Sequence, residues 1–319
     1  MIKHLPKGIR HIAYALRVWR TARGADAVFA EDTVSAGLPA LWAARAARRP
    51  CIVRVPGEHA WEQGRQRFGV VDTLDEFQTK RYSWRVELLR FLGRYTVRHA
   101  DRVVVPSHYF ERIVSGWGVD ASRLGVIYNG IEAVPPELPA EPPTRPFVVS
   151  VGRLVPWKGF LALIDVLPQL PEWQLVIVGD GPQRAMLEAA AETRGVHDRV
   201  HFTGSVSRPQ VLGWLSAADA FVLNSSFESF SYQVVEALAM GTPVIATRIG
   251  SIPELVNEGS EGVLVEPNDR TALVRSIESV KKQPEAWAVR ADAGRRKAEQ
   301  FSAKATAEQT ADLVRSLVV

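Results

Sequence analysis

Cysteine is almost absent. The single one, Cys51, excludes an intramolecular disulfide and sits in an apolar, strand-like run, a usage that fits a reducing cytoplasm. Long apolar runs are missing too, since none approaches the ~18 consecutive residues a membrane-spanning helix needs. The N-terminus carries cations with no apolar stretch behind them, so no secretory signal is read there. No His/Cys set has zinc-ligand spacing, no Asp-x-Asp suggests a divalent cation, and no Gly-x-Ser-x-Gly elbow occurs. No segment repeats at the ~20–50-residue period of solenoids and propellers. Disulfide-stapled, membrane-spanning and repeat classes therefore find no support.

What is present is a chain of 319 residues, long enough for two domains of ~150 residues each. Charge is uneven. Residues 1–146 hold 22 Lys/Arg against 15 Asp/Glu, while residues 147–319 hold 17 against 20. The basic half suggests an anionic partner, such as lipid headgroups, a phosphorylated carrier or nucleic acid. A solvated arginine-rich surface explains the same excess.

Apolar periodicity predicts an amphipathic helix over 6–23, with Ile9, Ile12, Ala13, Leu16 and Trp19 on one face. Strands and helices then alternate, which argues for a parallel sheet. Residues 58–79 show no clear period and read as a long loop with some helix. A basic helix spans 80–99, and two further strands, ADRVVVPS and RLGVIYNG, close the first half. Residues 133–146 hold six prolines, a density that disfavours helix and sheet and reads as a linker between domains. A second βα series follows, and the chain ends in helices around 270–281, 284–300 and 303–317. The first half contains only about four candidate strands and opens on a helix.

Four stretches could carry chemistry. Val151 to Gly159 (VGRLVPWKG) follows a strand and precedes a helix, where backbone N–H groups and the helix dipole attract phosphate. Arg153 offers a planar fork and Lys158 a compact charge; a plain βα turn with two solvated cations fits as well. Gly179-Asp180-Gly181 closes a strand and reads equally as a tight turn or a ligand contact. Glu228 and Glu236 lie eight residues apart across a helix start built from Ser229, Phe230 and Ser231. Helix N-terminal amides can hold phosphate or hydroxyl oxygens, and a carboxylate can accept from a ribose diol. The plainer alternative is an acid stabilising a helix dipole. Ser251 and Glu254 read as a capping box. His59, just past the strand CIVRVPG, is a candidate base or hydroxyl partner. Neither Lys158 nor Glu228 is expected in a core.

Together these motifs resemble the retaining glycosyltransferases of family 4. The likeness rests on VGRLVPWKG, VIVGDGP, VHFTGSVS, ESFSYQVVEALAMGTPVIAT with GSIPELV, and, earlier, VVVPSHYF and VIYNGIE. It covers nearly all of 100–319, and 1–99 more loosely. The resemblance implies a GT-B fold, α/β with two Rossmann-like parallel-sheet domains. The expected divisions are 1–132, a linker at 133–146, 147–300, and a C-terminal helix (301–319) returning to the first domain. It implies that Arg153, Lys158 and Gly152 hold the diphosphate of a UDP-, GDP- or ADP-sugar. Glu236 would hold the ribose, and Glu228 with the Phe230 and Ser231 amides the donor sugar. Gly181, Thr203 and Val206 would also line the donor site. The implied reaction transfers a sugar with retention, without a metal or other cofactor, to a glycan or lipid-linked acceptor. The implied setting is cytoplasmic, with contact to an anionic membrane and no nucleic-acid partner. A non-catalytic nucleotide-sugar-binding subunit is the alternative, and an epimerase or phosphorylase a third. The chain departs from the family at Ser229, Ser231 and Ser251, where glycines are usual, and at Pro56 and Gly57, where the acceptor-side histidine would fall. His59 is its approximate substitute. The family's opening strand and glycine loop have no counterpart, so the first domain is expected to be partial, short by ~60–80 residues.

Overall fold

Short β-branched runs alternate with longer helical stretches along the chain, and each run becomes one strand of a parallel sheet. The computed structural model describes residues 7–267 and 269–318. Two units result, one of Met1–Tyr128 with Thr306–Val319 and one of Asn129–Ala305.

The first unit contains α1 (Lys7–Ala22), β1 (Val28–Ala30), α2 (Gly37–Ala47), β2 (Cys51–Arg54) and α3 (His59–Arg67). It continues with α4 (Leu74–Thr79), α5 (Trp84–His99), β3 (Arg102–Val105), α6 (His108–Ser115) and β4 (Leu124–Val126). The four strands pair in sequence order, all parallel, with Val53 opposite Val103 and Val104 opposite Gly125. Ile52, Val104 and Ile127 pack with Phe29 and with Leu313, Val314 and Leu317 of the C-terminal helix (Ala303–Val318). The 3–4 spacing of those last three residues forms the apolar stripe that holds this helix to the first unit.

One expectation is corrected here and one is met. Residues 58–79 are mostly helical: α3 and α4 account for fifteen of them. Their period is hidden because α3 buries only Ala60, Trp61 and Gly64 in an otherwise polar sequence. The fully buried Trp61 donates from Nε1 to the Asp72 carbonyl at 3.0 Å and so pins the turn between the two helices. The amphipathic helix expected over 6–23 forms as α1. The helix lies against α2, yet Ile12 and Leu16 remain 64% and 50% exposed.

The second unit contains β5 (Phe147–Val151), α7 (Phe160–Val166), β6 (Gln174–Val178), α8 (Arg184–Thr193), β7 (Val200–Gly204) and α9 (Arg208–Ala217). There follow β8 (Ala220–Leu223), α10 (Tyr232–Met240), β9 (Val244–Thr247), α11 (Ile252–Leu255), β10 (Gly262–Val265), α12 (Arg270–Lys282) and α13 (Pro284–Ala298). The C-terminal helix is α14. All six strands are parallel, in the order β10-β9-β8-β5-β6-β7. The chain therefore winds outward from β5 to β7, returns to the other side of β5, and winds outward again from β8 to β10. That reversal opens a crevice at the carboxyl ends of β5 and β8.

The proline-rich stretch 133–146 belongs to this second unit rather than lying free between two domains. Glu137 N–H donates to the Pro209 carbonyl at 2.9 Å, and the Glu137 carbonyl fills the place a side chain at Gly213 would take. Proline denies the stretch a sheet ladder of its own, so it is laid along α9 instead.

In the first unit, Glu58 follows β2 and is 5% exposed. Its Oε2 has no hydrogen-bond partner among the described residues. Burial raises its carboxyl pKa to about 7, against the pull of Arg94 and Arg90. Between the unfolded value and about 7 the native state binds the extra proton, so stability falls as pH rises through that window. Above it both states are ionised and the full penalty, roughly 3 kcal/mol at ~1.4 kcal/mol per pKa unit, persists. Glu58→Gln should therefore raise stability at about pH 8 and leave it nearly unchanged at about pH 4, measured by urea unfolding. Equal effects at both pH values would contradict this account.

Candidate functional site

The loops at the crevice between β5 and β8 carry Gly152, Arg153, Lys158 and Glu228 of the predicted residues. The loop after β5 runs through Gly152 and Arg153 to a 3-10 turn at Pro156–Lys158. The loop after β8 runs from Asn224 to Ser231, and the loop after β9 from Arg248 to Ser251. Ser226 N–H donates to the Trp157 carbonyl at 2.7 Å, and Asn224 Nδ2 to the Gly159 carbonyl at 3.2 Å. Thr247 Oγ1 donates to the Ser225 carbonyl at 2.5 Å, and Ser251 N–H to the Glu228 carbonyl at 3.1 Å. Gly250 is in the left-handed region (φ 53°), and a Cβ there would lie 2.2 Å from the Glu228 carbonyl oxygen. Only glycine allows both the turn and that approach. The loops after β5, β8 and β9 are thus stitched together around residue 228.

Ser251 is not the start of a capping box. Its hydroxyl makes no cap and donates instead to the Glu228 carbonyl at 3.4 Å. The β9 loop is held to the β8 loop rather than to its own helix.

Lys158 and Glu228 meet directly. Nζ lies 2.5 Å from Oε1, with side-chain exposures of 14% and 8%. Ser225 Oγ donates to the same oxygen at 2.7 Å. The expectation that neither residue lies in a core is thereby corrected, because the close approach of the β5 and β8 loops desolvates both. An ammonium has three donors, so Lys158 keeps N–H groups for an anion beside the one it gives Glu228. Arg153 is exposed and has no ion pair among the described residues, which leaves its guanidinium available to a ligand.

Glu236 projects from α10 and is 7% exposed. Burial raises its pKa, and Arg208 pulls it back. Arg208 Nε donates to Glu236 Oε1 at 3.1 Å, and its Nη2 donates to the Glu132 carbonyl at 3.0 Å. No motif singles out Arg208. A signal was nonetheless present: a cation in the first position of α9, where the helix dipole favours an acid, needs a specific partner. Ser225, whose hydroxyl holds Glu228, was missed for want of any such signal.

The remaining predicted residues divide. Ser231 Oγ accepts from Val234 N–H and caps α10, while the Phe230 ring packs edge-on to Tyr232 and Phe301. Both side chains are committed to structure, so any ligand role at 230 and 231 falls to the backbone. A Cβ at Gly181 would lie 2.6 Å from both Leu154 N and Leu154 O, so that glycine serves the packing of one loop on another. Thr203 lies in the edge strand β7 and Val206 just past it, and Thr203 Oγ1 donates to the Gly204 carbonyl. The structure gives neither a hydrogen bond to the Lys158–Glu228–Glu236 group.

His59 belongs to the first unit. It opens α3 at the carboxyl end of β2, and burial lowers its pKa while Asp32 raises it and Arg67 lowers it. Asp32 itself is engaged, its Oδ1 accepting from the N–H groups of Val34, Ala36 and Gly37 at the start of α2. Among the described residues no helix is long and apolar enough to cross a membrane.

With this geometry in hand, the comparisons are informative. The family model "Glycosyl transferases group 1" matches residues 136–300, and "Glycosyl transferase 4-like domain" matches residues 2–130. A glycogen synthase of Mycobacterium tuberculosis is 32% identical over 288 residues, covering 88% of this chain and 65% of that protein. The lipopolysaccharide core biosynthesis glycosyltransferase LpsE of Rhizobium meliloti is 37% identical over 141 residues, 44% of this chain and 40% of that protein. The chain thus spans less than two thirds of the length of these relatives. HepE from Anabaena, solved in complex with UDP, superposes with a TM-score of 0.77 at 24% identity, covering 95% of this chain and 82% of that one. That likeness establishes the fold, α/β with two parallel sheets of the GT-B type.

The Lys158–Glu228 pair is buried, so removing one partner strands the other. Lys158→Ala and Glu228→Ala should each destabilise by about 3 kcal/mol. The double variant should lose less than the sum, with a coupling of about 1–3 kcal/mol in urea unfolding. Additivity within about 0.5 kcal/mol would show that the pair is not formed in solution.

Proposed function

The chain belongs to the group 1 glycosyltransferases, and on that footing we propose that it transfers a sugar from a nucleoside-diphosphate sugar to a glycan or lipid-linked acceptor with retention of configuration. The observation that carries this reading is the Lys158–Glu228 pair at the β5/β8 crevice, with Glu236 one helix turn and more beyond it. In this reading Lys158 and Arg153 clamp the diphosphate. The α10 N-terminus adds the positive end of its dipole, and Glu236 accepts from the ribose hydroxyls. Glu228 and the backbone at 230 and 231 take the sugar hydroxyls, while Thr203 to Val206 flank the base.

Two cations and a helix end supply the electrostatic stabilisation that a departing diphosphate needs, so we place no metal in the mechanism. The bond from the anomeric carbon to the phosphate oxygen breaks as the acceptor oxygen bonds to the same face. The leaving phosphate oxygen takes the acceptor's proton, and no protein nucleophile is required. His59 is assigned to the acceptor side. The setting we propose is cytoplasmic. Contact with an anionic membrane through α1 is supported by the exposed Ile12, Leu16, Arg17 and Arg20.

The test is turnover of UDP-, GDP- and ADP-sugars by the purified chain, with the product anomer read by NMR. Glu228→Gln should lower kcat at least about a hundredfold. Nucleotide binding without turnover would favour a non-catalytic donor-binding subunit instead, and loss of activity on chelation would sink the metal-free clamp. Nucleotide affinity should weaken as pH falls through the raised pKa of Glu236, because only the ionised carboxylate accepts from both ribose hydroxyls. Arg208→Ala should move that midpoint to higher pH, and Arg208→Lys should restore part of it; an unchanged midpoint would remove Arg208 from this role.

A further inference from the structure

The first unit carries a groove that the donor chemistry leaves unused. It lies between α2, α3 and α5 and has a volume of about 740 Å³, inside the ~300–1,000 Å³ range of small-molecule sites. Trp84, Leu88 and Leu92 line it from one face of α5, and Leu38 and Trp42 from one face of α2. Stripes at i, i+4 spacing of this kind normally enter a core. Here Trp84, Trp42 and Leu88 are 71%, 54% and 47% exposed. Scattered apolar residues on a surface need no explanation, but large ones converging on one groove mark a binding site.

The polar lining is equally one-sided. His59, Gln63 and Arg67 follow one another at i, i+4 and i+8 along α3, and Arg85 adds a second cation from α5. No Asp or Glu lines the groove. Arg67 and Arg85 are both exposed, and neither is in an ion pair among the described residues. The groove therefore combines a hydrocarbon-lined trough with unneutralised guanidinium groups, which suit a phosphate oxygen geometry. His59 sits at its end beside the carboxyl edge of β2, the edge at which open α/β sheets bind ligands.

We propose that this groove holds the hydrocarbon chain of a lipid-linked acceptor, with the acceptor's phosphate at Arg67 and Arg85. The inference rests on the glycosyltransferase reading above and narrows its acceptor from two classes to one. An uncharged soluble glycan would leave both the apolar trough and the two cations without a partner. An amphipathic phosphate ester matches the trough with its chain and the cations with its head.

The test uses the full chain and monomeric dodecyl phosphate, with butyl phosphate and inorganic phosphate as head-group controls, in titration calorimetry. Dodecyl phosphate should bind at least about a hundredfold more tightly than butyl phosphate, since each buried methylene adds to affinity. Leu88→Glu should weaken dodecyl phosphate about tenfold or more. Arg67→Glu with Arg85→Glu should do the same for dodecyl phosphate while sparing dodecanol. UDP, GDP and ADP binding, measured on the same variants, should not change.

That last measurement separates the two readings. If no nucleotide binds to the unaltered chain, the donor assignment fails whatever the groove does. If a nucleotide binds but chain length has no effect on phosphate-ester affinity, or the groove variants bind as the parent does, the groove assignment alone is overturned. Binding to phosphatidylglycerol vesicles that is lost in Leu88→Glu, with no binding of monomeric dodecyl phosphate, would make the groove a membrane-docking face and overturn the proposal. Loss of a dimer in that variant, with dodecyl phosphate unbound, would make it an interface between copies and overturn it equally.

Discussion

The reversal of strand order at β5 and β8 is the constraint on which the second unit depends. At β5 and β8 the connections leave in opposite directions, and the divergence opens a crevice on the carboxyl edge. The chain lines that space with residues far apart in sequence. Residue 228 is the knot: its carbonyl is held by the β9 loop, its carboxylate by the β5 and β8 loops. Gly250 permits the first of these contacts, and Lys158 with Ser225 makes the second.

Each of the two buried carboxylates in the crevice is tied to a cation from a different element. Glu228 has Lys158, and Glu236 has Arg208. A buried charge without a partner is costly, and each of these acids has one. The pairs also orient the acids. A diphosphate entering beside Lys158 would meet an ammonium already fixed by Glu228, and a ribose would meet a carboxylate already fixed by Arg208. Preorganisation of this kind spares the site from rearranging at the moment of binding. Glu58 stands apart. It is as deeply buried as the other two acids, but among the described residues no cation is bonded to it, and burial raises its proton affinity.

Much of the fold was legible because its signals are local. Alternating β-branched runs and helical stretches declare parallel sheets, and Gly241 marks the end of α10 by its left-handed conformation. The loops after β5 and β8 were legible as candidate ligand loops because a strand, a short loop and a helix start in succession can make an anion site. What resisted reading was whatever depends on a partner distant in sequence. Residues 58–79 hid two helices whose few buried positions, Trp61 among them, are defined only by the packing of α5 and the Asp72 carbonyl. The proline-rich stretch read as a free linker because nothing within it announces the hydrogen bond to Pro209. Ser251 looked like a cap and instead holds the β9 loop to the β8 loop, and Gly181 lets one loop pack on another.

The sequence by itself determined the class of the protein and the alternation of its elements, and it named Arg153, Lys158, Glu228 and Glu236 as candidates for its chemistry. The alternation follows from residue type and period, which are properties of neighbours along the chain, and the class from a resemblance carried by short motifs in order. Only the tertiary structure decided that Lys158 is bonded to Glu228, that Arg208 completes Glu236, and that α2, α3 and α5 leave an apolar groove open beside His59. The reason is physical. Burial and pairing are set by which strands become neighbours, and the order in which strands assemble into a sheet is written nowhere in the local pattern of any one of them.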